Sequence, residues 1–148
     1  MKLVIQRVKK ATVKVVDTKK ISGKINAGLF VLVGIGIDDT KGKVSILAEK
    51  LVRMRLMADE YKKMNLVAKE FLIVSQFTLY GNTNKGNRPS FAKAAKLQVA
   101  KELYNLFVSE LKVLLKDTPD SKVETGSFGD YMQISAELDG PVTIVLEQ

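Results

Sequence analysis

A short polar run at the end of a buried strand is the part of this 148-residue chain best suited to chemistry. Residues 71–74 are fully apolar, and Ser75-Gln76-Phe77-Thr78 follows directly. A strand whose second face turns polar in mid-course usually leaves the core at that point. A loop rich in glycine and asparagine comes next and carries Lys85 and Arg88. Polar groups at a strand end beside a basic loop predict a site for an anionic ligand.

The chain contains no histidine and no cysteine. This excludes disulfides, cysteine nucleophiles, Ser-His and Cys-His arrangements, and zinc sites built on either residue. It also removes the side chain that most often acts as a general base near neutral pH. If the protein is a hydrolase, its chemistry must come from backbone donors, hydroxyls, carboxylates or the substrate itself. We expect no metal and no cofactor.

The positive charge of the chain is concentrated in its first part. Seven acids and one lysine lie between 117 and 148, which gives that part a net charge of −6. Since the whole chain has a net charge of +8, residues 1–116 carry +14. Such asymmetry suggests a polyanionic partner, although a lysine-rich surface can also serve solubility alone. Because 20 of the 24 cations are lysine, the charge does not indicate specific bidentate recognition.

Length and hydropathy favour one globular domain spanning residues 1–148. The longest apolar run, residues 29–37, is too short to cross a bilayer, and the N-terminus lacks the apolar segment of a signal peptide. We therefore expect a cytoplasmic protein without a membrane partner.

The spacing of apolar residues predicts two helices among many short strands. One helix covers 42–52, and a longer one begins after an N-cap at Ser90 and runs to Leu114. In the strand at 29–37, Gly34 and Gly36 share one face, which lets another group approach closely. Strands are predicted at 2–8, 11–16, 21–25, 29–37, 53–57, 71–80, 123–126, 131–138 and 142–146, with turns or connections at 17–20, 59–65 and 139–141. This pattern is typical of an α+β domain with largely antiparallel sheets.

Several motifs together resemble one family, the D-aminoacyl-tRNA deacylases, over nearly the whole chain. The pair Ser-Gln-Phe-Thr and Gly-Pro-Val-Thr, in that order, is specific to this family. The matching segments are Val4-Ile5-Gln6-Arg7-Val8, Lys63-Met64-Asn65, Ser75-Gln76-Phe77-Thr78-Leu79-Tyr80, Lys85-Gly86-Asn87-Arg88-Pro89-Ser90-Phe91, Ala94-Ala95, Val123-Glu124-Thr125-Gly126, Phe128-Gly129, Met132 and Gly140-Pro141-Val142-Thr143.

The resemblance implies a homodimer that hydrolyses the ester between a D-amino acid, or glycine, and the terminal adenosine of tRNA. In the family the Gly-Pro bond is cis and reaches into the pocket of the other subunit, where its carbonyls bind the substrate amino group. The pocket that this Gly-Pro element helps to form leaves no room for an L side chain. By this resemblance Gly140, Pro141, Val142, Thr143 and Met132 contribute to substrate binding and chiral selection. Arg7 supports the Gly-Pro element, and Lys85 and Arg88 are possible tRNA contacts.

The resemblance also implies a mechanism. Ser75, Gln76, Phe77 and Thr78 hold the ester and ribose, largely through main-chain groups, and donors near Phe77 stabilise the oxyanion. The 2′-hydroxyl of the substrate activates the water. An alternative makes Thr78 a covalent nucleophile, but no base lies beside it in sequence.

Position 138 departs from the family, which usually has asparagine where this chain has Leu138. This difference favours an alternative function, a non-catalytic tRNA- or nucleotide-binding module of the same fold. A hydrolase of small acyl esters that needs no RNA is a third hypothesis.

Overall fold

The computed structural model describes residues 1–84 and 86–148, which form eight strands, two α-helices and one 3-10 helix. In chain order the elements are β1 (Lys2–Val15), β2 (Ile21–Ile25), β3 (Gly28–Gly34), α1 (Lys41–Arg53), β4 (Met57–Ala58), β5 (Met64–Leu66), β6 (Glu70–Ser75), the 3-10 helix (Phe77–Tyr80), α2 (Leu97–Leu114), β7 (Lys122–Thr125) and β8 (Met132–Glu147).

The long strand β1 organises the main sheet, because it pairs with three others. β3 pairs with its first half, β2 with its second half and β8 with both, all antiparallel. β6 and β7 then extend the sheet from β3 in parallel orientation. The short strands β4 and β5 form a separate hairpin around the predicted connection at 59–65. The predicted α+β fold, with a mostly antiparallel sheet and two main helices, is confirmed for the described residues.

Both faces of the central strands are buried, which explains the continuous apolar run before Ser75. On one face Phe71 and Ile73 pack with residues of α1 and α2. On the other face Leu72 and Val74 pack with residues from the second half of β1. α1 confirms the predicted helix: Thr40 caps it by accepting a hydrogen bond from the Lys43 N–H at 3.4 Å.

Several predicted boundaries are wrong, and the strands predicted at 2–8 and 11–16 are one strand, β1. β3 ends at Gly34 and not at Ile37, and β6 ends at Ser75 and not at Tyr80. α2 begins at Leu97 and not after Ser90, because Ser90 pairs with Asn82 in an isolated antiparallel bridge. The strands predicted at 131–138 and 142–146 are one strand, β8, with an irregularity where a turn was expected. Of the predicted 53–57 strand, only Met57 lies in β4.

No α-helix among the described residues is both long and apolar enough to cross a membrane.

Candidate functional site

The chain turns sharply directly after β6, and this turn exposes the polar run. The Gln76 N–H donates to the Val33 carbonyl at 2.8 Å, the last bond of the parallel ladder, and the 3-10 helix follows. The helix fits closely against the end of β3. A Cβ on Gly34 would lie 2.9 Å from the Leu79 Cβ, and one on Gly36 would lie 2.6 Å from the Tyr80 ring. The predicted close approach at the two glycines is therefore confirmed.

Tyr80 anchors the C-terminal end of the 3-10 helix. Its hydroxyl donates to Asp39 Oδ2 at 3.2 Å, and the same oxygen accepts the Gly36 N–H at 2.7 Å. The Lys2 ammonium lies 5.2 Å from the centre of the Tyr80 ring. Burial, and then the negative charge of Asp39, raise the pKa of Tyr80 above its usual value. The Asp39 side chain is almost fully buried, and its Oδ1 pairs with the Met1 amino group.

The turn leaves main-chain donors open to a ligand. Within the described part of the chain, the N–H groups of Phe77 and Thr78 donate to no acceptor. Both residues are exposed. The Thr78 hydroxyl accepts a hydrogen bond from the Gln76 side-chain amide. Two adjacent free N–H groups can bind a developing oxyanion.

A cavity of about 590 Å³ opens beside this turn. Val74, Ser75 and Gln76 line it from the sheet, and Phe77 and Phe91 line a wall with their ring centres 5.0 Å apart. Phe128 and Tyr131 in the segment before β8, and Met132 at the start of β8, also line it. The lining is mostly apolar with a few polar groups, which is typical of a small-molecule site.

Tyr104 on α2 holds two parts of this cavity together. Its buried hydroxyl donates to the Ile73 carbonyl of β6 at 2.9 Å. Its ring centre lies 5.4 Å from that of Phe128 in the cavity wall. Burial raises the pKa of Tyr104 above its usual value.

The Gly-Pro motif forms an outward bulge in β8. Gln6 pairs with Thr143 and Val8 pairs with Leu138, so Arg7 alone lies opposite residues 139–142. The Gly140-Pro141 bond is cis, and Gly140 has φ of 126°. Residues 140 and 141 are exposed. A Cβ on Gly140 would lie 2.9 Å from both the backbone nitrogen and a methyl group of Val142.

Arg7 supports this bulge from below. The residue is 9% exposed, and its Nε lies 2.9 Å from Asp139 Oδ2 and 3.3 Å from the Asp139 carbonyl. Nη1 donates to the Leu56 carbonyl at 3.0 Å. Three bonds from one planar group tie the start of the bulge to the segment before β4.

One chain does not bring the two motifs together. Met132 lines the cavity, and so does Ile134 further along β8, but Gly140 and Pro141 do not. Gly140 lies six residues beyond Ile134, on the order of 20 Å along an extended strand. Val142 is half-buried and Thr143 exposed on the same strand. Arg88 is exposed in the loop after the 3-10 helix, whereas Lys85 lies outside the described residues.

Sequence reasoning missed several residues of this site. The sequence assigns no role to Phe91 and Tyr131, which line the cavity, or to Asp39 and Tyr104. The sequence signal that could have indicated the Tyr80 anchor is the pair Gly34 and Gly36, which leave room for Leu79 and Tyr80. Among the described residues, no group of three or more acidic side chains is placed to hold a metal ion.

Comparison with known proteins gives the family. The model of the D-Tyr-tRNA(Tyr) deacylase family matches residues 4–147. The chain belongs to this family. It is 49% identical to a D-aminoacyl-tRNA deacylase of Thermosipho africanus (strain TCF52B), over 99% of this chain and 97% of that protein. It is 48% identical to a D-aminoacyl-tRNA deacylase of Fusobacterium nucleatum subsp. nucleatum, over 99% of this chain and 95% of that protein.

Solved structures show the same family fold. A c-Myc DNA Unwinding Element Binding Protein has 37% identity and a TM-score of 0.88, covering 100% of this chain and 99% of that chain. A probable eukaryotic D-amino acid tRNA deacylase has a TM-score of 0.82, and the match covers 98% of this chain and 97% of that chain. Its 18% identity supports the shared fold alone.

Proposed function

We propose that this protein hydrolyses the ester bond of D-aminoacyl-tRNA, a chiral proofreading step in translation. Water adds to the ester carbonyl, the bond to the ribose oxygen of the terminal adenosine breaks, and free D-amino acid and tRNA are released. The observation that carries the proposal is the pair of family motifs, each built into a site-like geometry: free N–H groups beside a cavity, and a glycine bulge supported by a buried arginine. Such an enzyme acts in the cytoplasm, where charged tRNA is used.

In this mechanism the protein supplies positioning and electrostatic stabilisation. The ester carbonyl lies against the N–H groups of Phe77 and Thr78, which stabilise the oxyanion as it forms. The 2′-hydroxyl of the terminal ribose orients and activates the attacking water. This division suits a chain without histidine, because the substrate supplies the group that the protein lacks.

Chiral selection requires a second copy of the chain. The exposed Gly140-Pro141 bulge of one subunit enters the cavity beside Ser75 of its partner, and its carbonyls bind the substrate amino group. The exposed strand β8, with Leu138 and Val145 on its surface, supports an isologous C2 dimer. An L side chain meets the bulge, whereas a D side chain points away from it. Glycine has no side chain to exclude, so glycyl-tRNA, including glycine mischarged on the alanine tRNA, is also a substrate.

A deacylation assay with D-, L- and glycyl-charged tRNA tests this function. We expect release of the D-amino acid and glycine and protection of the L-form. Equal rates on both enantiomers would contradict the chiral role. Sedimentation at micromolar concentration should give a dimer, and a monomer would contradict the shared site.

A second candidate is a non-catalytic tRNA- or nucleotide-binding module of the same fold. The exposed Leu138, two residues before the glycine of the bulge, favours it, because the family usually has a hydrogen-bonding asparagine there. Single-turnover conditions separate the two functions. Tight binding of D-aminoacyl-tRNA without hydrolysis would support the module.

The third hypothesis, a hydrolase of small acyl esters, predicts activity that is independent of RNA. Strong inhibition by added salt on the tRNA substrate would argue against it, because salt competes with phosphate contacts.

A further inference from the structure

Part of the candidate site belongs to a long stretch of chain whose charged residues are all positive. Residues 71–101 contain no aspartate or glutamate, and they contain Lys85, Arg88, Lys93, Lys96 and Lys101. The polar run at 75–78 and one wall of the cavity belong to this stretch. The stretch therefore combines the candidate oxyanion donors with an uncompensated positive charge.

Three of these cations alternate with residues of the cavity wall. Ala94, Ala95, Leu97 and Ala100 line the cavity, while the lysines between and beside them are exposed. Lys93 precedes Ala94, Lys96 lies between Ala95 and Leu97, and Lys101 follows Ala100 one helical turn after Leu97. We call the four described cations Arg88, Lys93, Lys96 and Lys101 the basic rim.

The cations of the basic rim form no ion pairs among the described residues, although Asp130 lines the same cavity. Among the described residues, no carboxylate lies within 4.0 Å of the basic-rim cations. By contrast, Lys9 and Lys10 both pair with Glu137, and Lys2 pairs with Glu147. The basic rim can therefore bind an external anion without first breaking an ion pair.

Exposed aromatic rings lie at the same cavity. Phe77 is 59% exposed and Tyr131 is 78% exposed, although both line it. A positive surface beside exposed aromatic rings is the combination that binds single-stranded nucleic acid, because phosphates meet the cations and bases stack on the rings.

From these observations we propose that the basic rim binds the phosphates of the acceptor stem, while the unpaired 3′ end of the tRNA enters the cavity. The inference rests on the proposed function and adds the surface on which the RNA lies. It assigns Lys93, Lys96 and Lys101 to backbone contacts, which position the RNA without reading its sequence.

A triple variant, Lys93→Gln/Lys96→Gln/Lys101→Gln, tests the basic rim. We measure kcat and KM on D-aminoacyl-tRNA and on D-aminoacyl-adenosine, which has the ester but no stem. We expect KM for the tRNA to rise about 10- to 100-fold, a loss at least tenfold larger than on the adenosine ester. The slope of log KM against log salt should become shallower by about 2, since each lost phosphate contact removes about 0.7 to 0.9.

The matched control removes three exposed lysines far from the cavity, in Lys24→Gln/Lys69→Gln/Lys116→Gln. Lys69 precedes β6 at the end opposite Ser75, and Lys24 lies on β2 beside Lys122. Lys116 follows the far end of α2, where it forms an exposed pair with Asp117 at 3.9 Å. Equal KM increases in both triple variants would overturn the basic rim in favour of net charge alone. Unchanged KM in the first variant, or equal loss on both substrates, would overturn it as well.

A separate binding measurement distinguishes failure of the basic rim from failure of the proposed function. If the wild-type protein cleaves neither substrate, the proposed deacylase is wrong, and salt-dependent binding of uncharged tRNA then decides the inference. Weaker binding in the first variant, but not in the control, supports the basic rim. Equal binding of wild type and variant overturns it.

Discussion

The two parts of the candidate site are built in opposite ways. The turn after β6 is anchored inside its own chain by the ladder bond to Val33, by close packing on two glycines and by the bond from Tyr80 to Asp39. The bulge at Gly140 is exposed on β8, and Arg7 supports it through polar contacts with its first residue, Asp139. The first part is complete in one chain, whereas the second presents its surface outward.

This difference separates the two tasks of the proposed enzyme. Stabilising an oxyanion requires donors held in place before the substrate arrives, and buried anchors provide this. Excluding an L side chain requires an obstacle whose shape is fixed but whose surface is free to enter another pocket. Changes at the exposed residues of the bulge should therefore affect activity more than stability, and changes at the anchors or at the buried Arg7 should affect both.

The largest effect is expected for Gly140→Ala. The added Cβ would lie 2.9 Å from two Val142 atoms, at a φ of 126° that L residues rarely adopt. We expect kcat/KM on D-aminoacyl-tRNA to fall about 100-fold, in line with a distortion of about 1–3 kcal/mol at the bulge. The measurement is steady-state kinetics with a thermal melt.

Gly86→Ala is the control for this variant, because Gly86 also has a positive φ, 69°, but nothing within 4 Å of the added carbon. Its kcat/KM should stay within about threefold of wild type. Similar losses in both variants would mean that backbone strain, and not the shape of the bulge, is responsible.

A smaller but still large effect is expected for Arg7→Lys. A lysine ammonium cannot reproduce the fork that reaches both Asp139 and the Leu56 carbonyl, and a buried acceptor then loses its partner. We expect about a 30-fold loss of kcat/KM and a loss of about 1–3 kcal/mol in unfolding free energy. Denaturant unfolding and kinetics check the two values.

The matched control is Arg53→Lys on α1, whose exposed pair with Glu49 spans 3.7 Å. Exposed pairs contribute little, so both stability and activity should stay close to wild type. Unchanged activity in the Arg7→Lys variant would show that the contacts of Arg7 with the bulge are not needed for catalysis.

The sequence predicts the parts of the molecule whose signal is local. α1 is predicted within one residue at each end because its apolar stripe and cap are local, and the apolar run at 71–74 correctly indicates burial on both faces. The end of β6 was misplaced because Phe77 and Leu79 read as a continuing strand. In the structure they belong to a 3-10 helix, which the close approach to Gly34 and Gly36 makes room for.

The motifs of the site come from family resemblance, which does not indicate the residues that form the cavity around them. The start of α2 depends on the bridge between Asn82 and Ser90, and the walls Phe91 and Tyr131 depend on segments that are distant in sequence. Long-range packing of this kind leaves no periodic signal. No local pattern places Gly140 away from the cavity of its own chain; the family resemblance implies it, and the register of β8 gives the separation.

Thr78→Ala should have a modest effect, because the proposed contribution of residue 78 is its N–H and not its hydroxyl. The hydroxyl accepts a bond from Gln76, so its loss loosens the turn without removing a donor to the substrate. We expect a two- to fivefold fall in kcat, a few tenths to about 1 kcal/mol. A loss beyond about 1,000-fold, with activity retained in Thr78→Ser, would instead support a covalent nucleophile.

The smallest expected effect is on the stability of the protein at alkaline pH, through Tyr80 and Tyr104. Burial raises the pKa of Tyr104, and burial with the Asp39 charge raises that of Tyr80, so both stay protonated in the folded protein above pH 10, where unfolded tyrosine ionises. The unfolded chain therefore releases these protons first. Their stabilisation is complete below about pH 10 and is lost as the pH rises further.

The variants Tyr80→Phe and Tyr104→Phe should accordingly be less stable than wild type at pH 7 but lose less stability between pH 9 and about 11. Stability is the appropriate readout, since the ester of charged tRNA hydrolyses in alkali without the enzyme. Denaturant midpoints across this range check the prediction. A Tyr80→Phe curve parallel to that of wild type would show that the bond to Asp39 does not anchor the turn. The contrast between an internally anchored half and an exposed half would then rest on the ladder bond to Val33 and on the packing at the two glycines.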